Sequence, residues 1–151
     1  MQKFYKIPKG VSIMADIIGA NSAAFKPADP VSIDADGCLI VATAGDKVLG
    51  YACDDITMVA ANETTPKVRP NYIPAVPGVL MQYPSDQAGV LADDVGEYAD
   101  LSGTTGAITM NLTAGATGQF LIRQIDPENE GDTDVVIVEA AEPQTFGFAQ
   151  S

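Results

Sequence analysis

Residues 102–120 read SGTTGAITMNLTAGATGQF, with a strict apolar–polar alternation between two similar tetrapeptides, Gly103-Thr-Thr-Gly106 and Gly115-Ala-Thr-Gly118. Ile108, Met110 and Leu112 fall on one face and Thr109, Asn111 and Thr113 on the other, which is the period of a half-buried strand. The glycines raise a competing possibility, a loop that cradles phosphate. Such a loop needs Gly-x-x-x-x-Gly-Lys-Ser/Thr between a strand and a helix. A nucleotide-clamping Gly-x-x-Gly loop carries basic residues beside it. Neither tetrapeptide contains Lys or Arg, and a strand pattern follows each. Both are therefore read as turns, where glycine supplies the positive φ that tight reversals require.

The same signals recur outward from this stretch. GQFLIRQI (118–125) and DVVIVEA (134–140) are apolar runs of strand length bounded by turn residues, and VSIMADII (11–18), CLIVA (38–42), VLGYAC (48–53) and ITMVAA (56–61) read alike. No segment repeats apolar residues at helical spacing over three turns; a short helical turn near Asp93–Tyr98 is the most that is expected. The class is mainly β, as small sandwich or barrel modules. Five prolines fall in PKVRPNYIPAVPGVLMQYP (66–84). Proline has no amide hydrogen for a ladder, so this stretch is not a central strand. The expected organisation is an N-terminal arm (1–9), a first β module (10–65), a proline-rich connector (66–78) and a second, acidic β module (79–151). Pro74-Ala-Val-Pro77 also matches PxxP, a short and common pattern.

Gly45-Asp46 lies between two apolar runs and reads as a two-residue hairpin turn. In that register Cys38 faces Cys53, Ile40 faces Tyr51 and Ala42 faces Leu49. The cysteines would then sit about 5.5 Å apart at Cα, within disulfide reach. Two buried free thiols are the alternative, and the one that a reducing cytosol favours.

Charge narrows the partners. The formal net charge is −12, and residues 71–151 hold twelve acids against a single base, Arg123. A surface of that sign repels nucleic acid and anionic lipid. No apolar run approaches the roughly 20 residues of a membrane span, and no apolar core follows the N-terminal lysines as in a signal peptide. The sequons Asn62-Glu-Thr64 and Asn111-Leu-Thr113 are then chance matches.

Catalytic chemistry finds few candidates. The sequence has no histidine and two cysteines, so Ser-His and Cys-His nucleophiles are absent and a zinc site lacks its usual donors. Asp126, Glu128, Glu130, Gly131 and Asp134 match positions 1, 3, 5, 6 and 9 of a calcium loop, but Ile137 stands where the bidentate Glu belongs. An acidic turn is the expected structure there; a calcium-dependent binding module is the rival. Asp34-Ala-Asp36-Gly37 is an ordinary turn, and the pairs Asp93-Asp94 and Asp132-Thr-Asp134 lie in turn-like contexts rather than apolar pockets. No catalytic, cofactor-binding or metal-binding residue is assigned, and no enzyme is expected.

The N-terminal stretch is different. Lys3, Lys6 and Lys9 precede the first acid, Asp16, and are interleaved with Phe4, Tyr5 and Ile7. Two readings stand side by side: a frayed terminus, or an extended arm that adds to a partner's sheet edge through aromatic anchors and lysines. On the second, deleting residues 1–9 would abolish attachment and spare the fold.

The phrases ATAGDKVLGYACDD (42–55), VGEYADL (95–101) and AITMNLTAGATGQFLIRQIDP (107–127) carry a resemblance. From about residue 30 onward the chain resembles head decoration proteins of tailed bacteriophages, also called capsid cement proteins. These are small, acidic, histidine-poor β proteins rich in Gly, Ala and Thr turns. The resemblance implies a virion protein made in the host cytoplasm, often trimeric, that binds the major capsid protein on the outer shell and reinforces it against internal DNA pressure. It also implies that an arm, here Lys3, Phe4, Tyr5, Lys6 and Ile7 by position and character, becomes ordered on the shell by strand addition. Tail, neck and head-fibre subunits share this composition and are the alternative.

Overall fold

The computed structural model describes residues 2–86, 94–115, 118–125 and 135–141, with the backbone alone at 113–115. Its elements are strands: β1 (Lys3–Lys6), β2 (Ala24–Phe25), β3 (Pro30–Ile33), β4 (Leu39–Val41), β5 (Gly50–Ala52), β6 (Ile56–Thr57), β7 (Tyr72–Pro74), β8 (Leu80–Pro84), β9 (Tyr98–Thr104), β10 (Ala107–Gly115), β11 (Phe120–Ile125) and β12 (Val135–Ala140). Every strand pairing is antiparallel. The protein is mainly β.

The larger sheet has the order β1-β8-β12-β11-β9-β10. The alternating stretch Ala107–Thr113 falls in β10, with Ile108 and Met110 buried and Thr109 and Asn111 half-exposed. Its hairpin with β9 pairs Thr104 with Ala107 across Thr105-Gly106. Gly103 and Gly106 both have positive φ, 76° and 79°, and a Cβ on Gly103 would run into the Ala107 carbonyl. The first glycine tetrapeptide is a turn. Ala116 and Thr117 of the second lie outside the described residues, as do Asp93 and the acidic loop Asp126–Asp134. Past β8, Ser85 bridges Met110 of β10, so the sheet curls until its far edge meets the chain leaving β8.

The smaller sheet has the order β4-β3-β5-β7, and this corrects the expected Gly45-Asp46 hairpin. β4 and β5 do not pair with each other; they flank β3, with Val31 opposite Val41 on one side and Gly50 on the other. The reason is β3 itself. Its Pro30 and Ser32 interrupt an apolar run, yet Pro30, Val31 and Ser32 are all buried. Proline is admissible at the first residue of a strand. Once β3 occupies the centre, the chain after β4 crosses over it. Cys38 and Cys53 are then no longer opposite one another, and both are free thiols.

A second correction concerns VSIMADII, which forms no strand of its own. Met14 exchanges both hydrogen bonds with Tyr72 at one edge of the smaller sheet, while Leu39 at the other edge bonds to Ile18 and Ala20. Residues 14–20 therefore cover both edges of that sheet, where unpaired backbone would otherwise face solvent. Likewise ITMVAA keeps only the two residues of β6. Asp94 stands in a 3-10 conformation that Val95 and Gly96 continue as a turn, the short helical turn expected near Asp93–Tyr98.

Proline placement follows the missing amide. Pro74 closes the edge strand β7 and Pro84 closes β8, both at positions where a ladder donor is dispensable. One buried cluster (Ile17, Phe25, Val31, Leu39, Leu49, Ala52, Met58, Tyr72) packs around the four-stranded sheet, with Phe25 supplied by β2, which pairs with β6 in a separate two-stranded sheet. A larger one includes Tyr51, Val79, Met81, Tyr83, Leu101, Met110, Phe120, Ile122, Val136 and Val138. β5 is buried on both faces, with Tyr51 in the larger cluster and Ala52 in the smaller.

Candidate functional site: the N-terminal edge strand

Residues 3–6 form β1, the end strand of the larger sheet, paired as Lys3 with Gln82, Phe4 with Met81 and Lys6 with Leu80. The register shift places a bulge at Tyr5. Phe4 packs edge-on against Tyr51 with ring centroids 6.2 Å apart. Gln2 is a three-way clip: its Nε2 donates to the Pro27 carbonyl and to Asp29 Oδ1, each at 2.8 Å, and its Oε1 accepts from the Ile108 amide at 2.8 Å. The arm is therefore docked on its own chain. Deleting residues 1–9 would remove the Gln2 clip and the half-buried Phe4 that packs against the core, so that deletion tests stability as much as attachment.

What β1 shows to solvent is another matter. Tyr5 is 46% exposed and Ile7 42%, and Lys3, Lys6 and Lys9 are exposed between them. None of the three lysines makes an ion pair with a described residue. Tyr5 accepts a hydrogen bond from Gln124 Nε2 at 2.9 Å, which holds the ring over the outer face of the sheet. Of the five sequence-expected residues, Phe4 is a core anchor and the other four form a cationic, partly apolar edge.

Two carboxylates and a thiol also converge. Asp34, Cys38 and Glu63 bring one donor atom each to within 4.8 Å of the others. No local pattern announces this trio, because Glu63 arrives from a turn far along the chain. Asp34 Oδ1 already accepts from the Asp36 and Cys38 amides, and Glu63 forms a reciprocal clasp with Asn21. Burial first, then the charges of Glu63, Asp34 and Asp36, pushes the Cys38 thiol pKa up. Both carboxylates are thus engaged with the backbone and side chains of neighbouring turns, and the trio serves as a hydrogen-bonded clasp between those turns. Cys53 is raised too, by burial and then Asp54.

The surface clefts are small. One of about 240 Å³ runs along Asp46, Lys47, Asp100 and Gln119, and one of about 250 Å³ lies beside Tyr98, Leu121 and Glu139. In each, a central polar side chain is committed to the protein. Gln119 donates to the Thr43 and Asp46 carbonyls and accepts from the Leu101 amide. Glu139 accepts from the Gly78 amide at 2.7 Å and meets Arg123 at 3.5 Å.

Several buried polar groups brace this frame. Asn62 is fully buried, donating to the Gly19 and Val68 carbonyls and accepting from the Val68 amide. Its amide is spent on the fold, so the first sequon is closed to modification in the native state. Tyr83 and Tyr51 form a contrasting pair. The Tyr83 hydroxyl donates to the Ala28 carbonyl at 2.6 Å. The Ala140 backbone approaches the Tyr51 hydroxyl, but among the described residues no group reaches bonding geometry. Removing a hydroxyl from a made bond costs about 1–2 kcal/mol, whereas removing an unsatisfied one costs nothing. Tyr83→Phe is thus expected to lower stability by about that amount. Tyr51→Phe should leave it unchanged or raise it by up to about 1 kcal/mol. Urea unfolding midpoints of the two variants, side by side, check the ordering.

No family model, no curated protein and no solved structure matches this chain.

Proposed function

We propose that this chain is a decoration protein of a tailed-bacteriophage capsid: a virion component that binds the major capsid protein on the outer shell and stabilises it, acting as a trimer. The observation that carries the reading is β1, a lysine-bearing edge strand with exposed Tyr5 and Ile7 on a chain whose net charge is −12. A basic apolar edge on a body of net negative charge favours attachment of an acidic partner at that edge. The resemblance in phrasing from about residue 30 onward agrees with this, as does a body without a large pocket among its described residues. In this reading the β-rich stretches 10–65 and 79–151 are two modules joined through 66–78. The apolar cluster of Ile17, Phe25, Val31, Leu39, Leu49, Ala52 and Met58, which Tyr72 of the joining stretch completes, supports a core for the first.

The test is co-sedimentation of the purified protein with empty expanded capsids, with light scattering giving the mass of the free species. Saturable binding to the shell, at a fixed ratio to capsid subunits, is the expected result. A protein that leaves the capsids in the pellet without it would overturn the reading and move the assignment to a tail, neck or head-fibre subunit.

A further inference from the structure

β1 does not need to leave its own sheet to bind. We propose that its outer edge accepts an acidic extended segment of the partner, which adds as a further strand beside β1 while β1 stays paired to β8. The identification of that partner as a capsid protein rests on the reading above; the edge chemistry does not.

Three observations select this occupant. First, β1 is the end strand of its sheet, and among the described residues only β8 pairs with it. An edge strand presents a row of free amide and carbonyl groups, the template for strand addition. Second, β1 is anchored from within: Gln2 and Phe4 hold it to Asp29, Ile108 and Tyr51. The edge is preformed, so a partner does not have to order it. Third, the lysines discriminate. A second copy docking antiparallel, β1 against β1, would line Lys3 and Lys6 of both copies along one seam, a like-charge juxtaposition that disfavours self-association. The bulge at Tyr5 also interrupts the ladder, which limits indiscriminate pairing along the edge. A strand carrying Glu or Asp opposite Lys3 and Lys6 relieves that repulsion, and an apolar residue beside Tyr5 and Ile7 covers their exposed surface. The device repels its own kind and admits an acidic strand.

A synthetic peptide of alternating glutamate and valine, six residues with blocked ends, is the probe. Its lysine–valine counterpart controls for charge. Two versions, N-methylated at either the glutamates or the valines, control for backbone pairing. In amide NMR titrations the glutamate peptide should shift residues 2–7. Lys3→Glu/Lys6→Glu should weaken it at least 10-fold, and the lysine peptide should bind at least 10-fold more weakly. One N-methylated frame should fail while the other binds, the signature of a one-sided ladder. Both lysines are exposed, so the double variant should melt as the parent does; Lys3→Gln/Lys6→Gln is the substitute if it does not. Absence of binding, shifts located elsewhere, or equal behaviour of the two methylated frames would overturn the proposal. Capsid co-sedimentation separates the two readings. Parent protein that sediments together with an equally competent Lys3→Glu/Lys6→Glu variant removes the edge proposal and leaves decoration standing. Parent protein that fails to sediment removes decoration, while the peptide titration still decides the edge.

Discussion

Asp29→Ala is expected to lower the unfolding free energy by about 3 kcal/mol, which for a chain of this length lowers Tm by about 6–12 °C. Asp29 is fully buried, and a buried carboxylate is costly unless its oxygens are occupied. Here they are. Oδ1 accepts from Gln2 Nε2 and the Gly106 amide, each at 2.8 Å, and Oδ2 accepts from the Lys26 amide at 2.9 Å. Replacing a buried ion pair with apolar groups is often neutral, because two charges leave together. Asp29 has no such cationic partner among the described residues. Its three donors are neutral and would remain behind, two of them backbone amides that cannot turn away. Each hydrogen bond to a charged group contributes about 1.5–3 kcal/mol, offset in part by the carboxylate's own desolvation. Gly106 and Lys26 are near solvent and can recruit water, which keeps the sum near the lower end. Asp29→Asn should recover part of the loss, since one oxygen survives while the other becomes a donor facing a donor. The effect should also be local in kind: Gln2 and the Gly106 turn are released together, so amide exchange should quicken at both in the folded variant. A change under about 1 kcal/mol in chemical denaturation, with exchange unaltered, would show that the carboxylate does not join these segments.

Asp29 also marks where sequence reading stops. Asp29-Pro30 looks like a solvated turn, and nothing local indicates that the turn is covered by β1 and by the β9–β10 hairpin, which lies far along the chain. The strands that were legible are those whose own side chains carry the pattern. β10 alternates, β11 and β12 are apolar runs, and Gly103 and Gly106 announce the reversal between β9 and β10. β3 was illegible because Pro30 and Ser32 mask a strand that is central only by virtue of its neighbours. Residues 11–18 show the opposite failure. Their composition suits a strand, but their backbone partners sit on opposite edges of one sheet, so they bridge instead of pairing along a ladder. The candidate edge divides the same way: its lysines and aromatics could be read directly, while the inward role of Phe4 and the docking of Gln2 required the fold. Long-range pairing decides each of these cases, and it is not encoded in any single window of residues.

The largest expected effect is alkaline unfolding. Three of the five tyrosines, Tyr51, Tyr72 and Tyr83, are almost wholly buried, and each has its phenol pKa pushed well above the ordinary value near 10. Burial is the first cause in all three. Glu139 adds to it at Tyr51, the hydrogen bond and charge of Asp16 add at Tyr72, and Tyr51 and Asp29 add at Tyr83. The sign follows from proton counting. Below pH 10 both folded and unfolded chains hold these protons, and the contribution to stability is complete. Above it the unfolded chain releases three protons that the native chain keeps, so the unfolded state is favoured as pH rises toward the folded values. Each tyrosine contributes a fall of about 1.4 kcal/mol per pH unit, about 4 kcal/mol for the three. Against a total of about 5–10 kcal/mol, the lower part of the typical range, the native state should collapse roughly one to three units above pH 10. Phenolate absorbance and circular dichroism should then change together in one steep step. Rising negative charge pushes the same way, since the chain already carries −12 and its lysines discharge in this range. Tyr51→Phe separates the two causes: it leaves the net charge at neutral pH untouched and removes one proton from the step, so the slope should drop by about a third. Phenols that titrate gradually near pH 10 while the dichroism is still native would sink the argument, for they would show that the three rings are open to solvent.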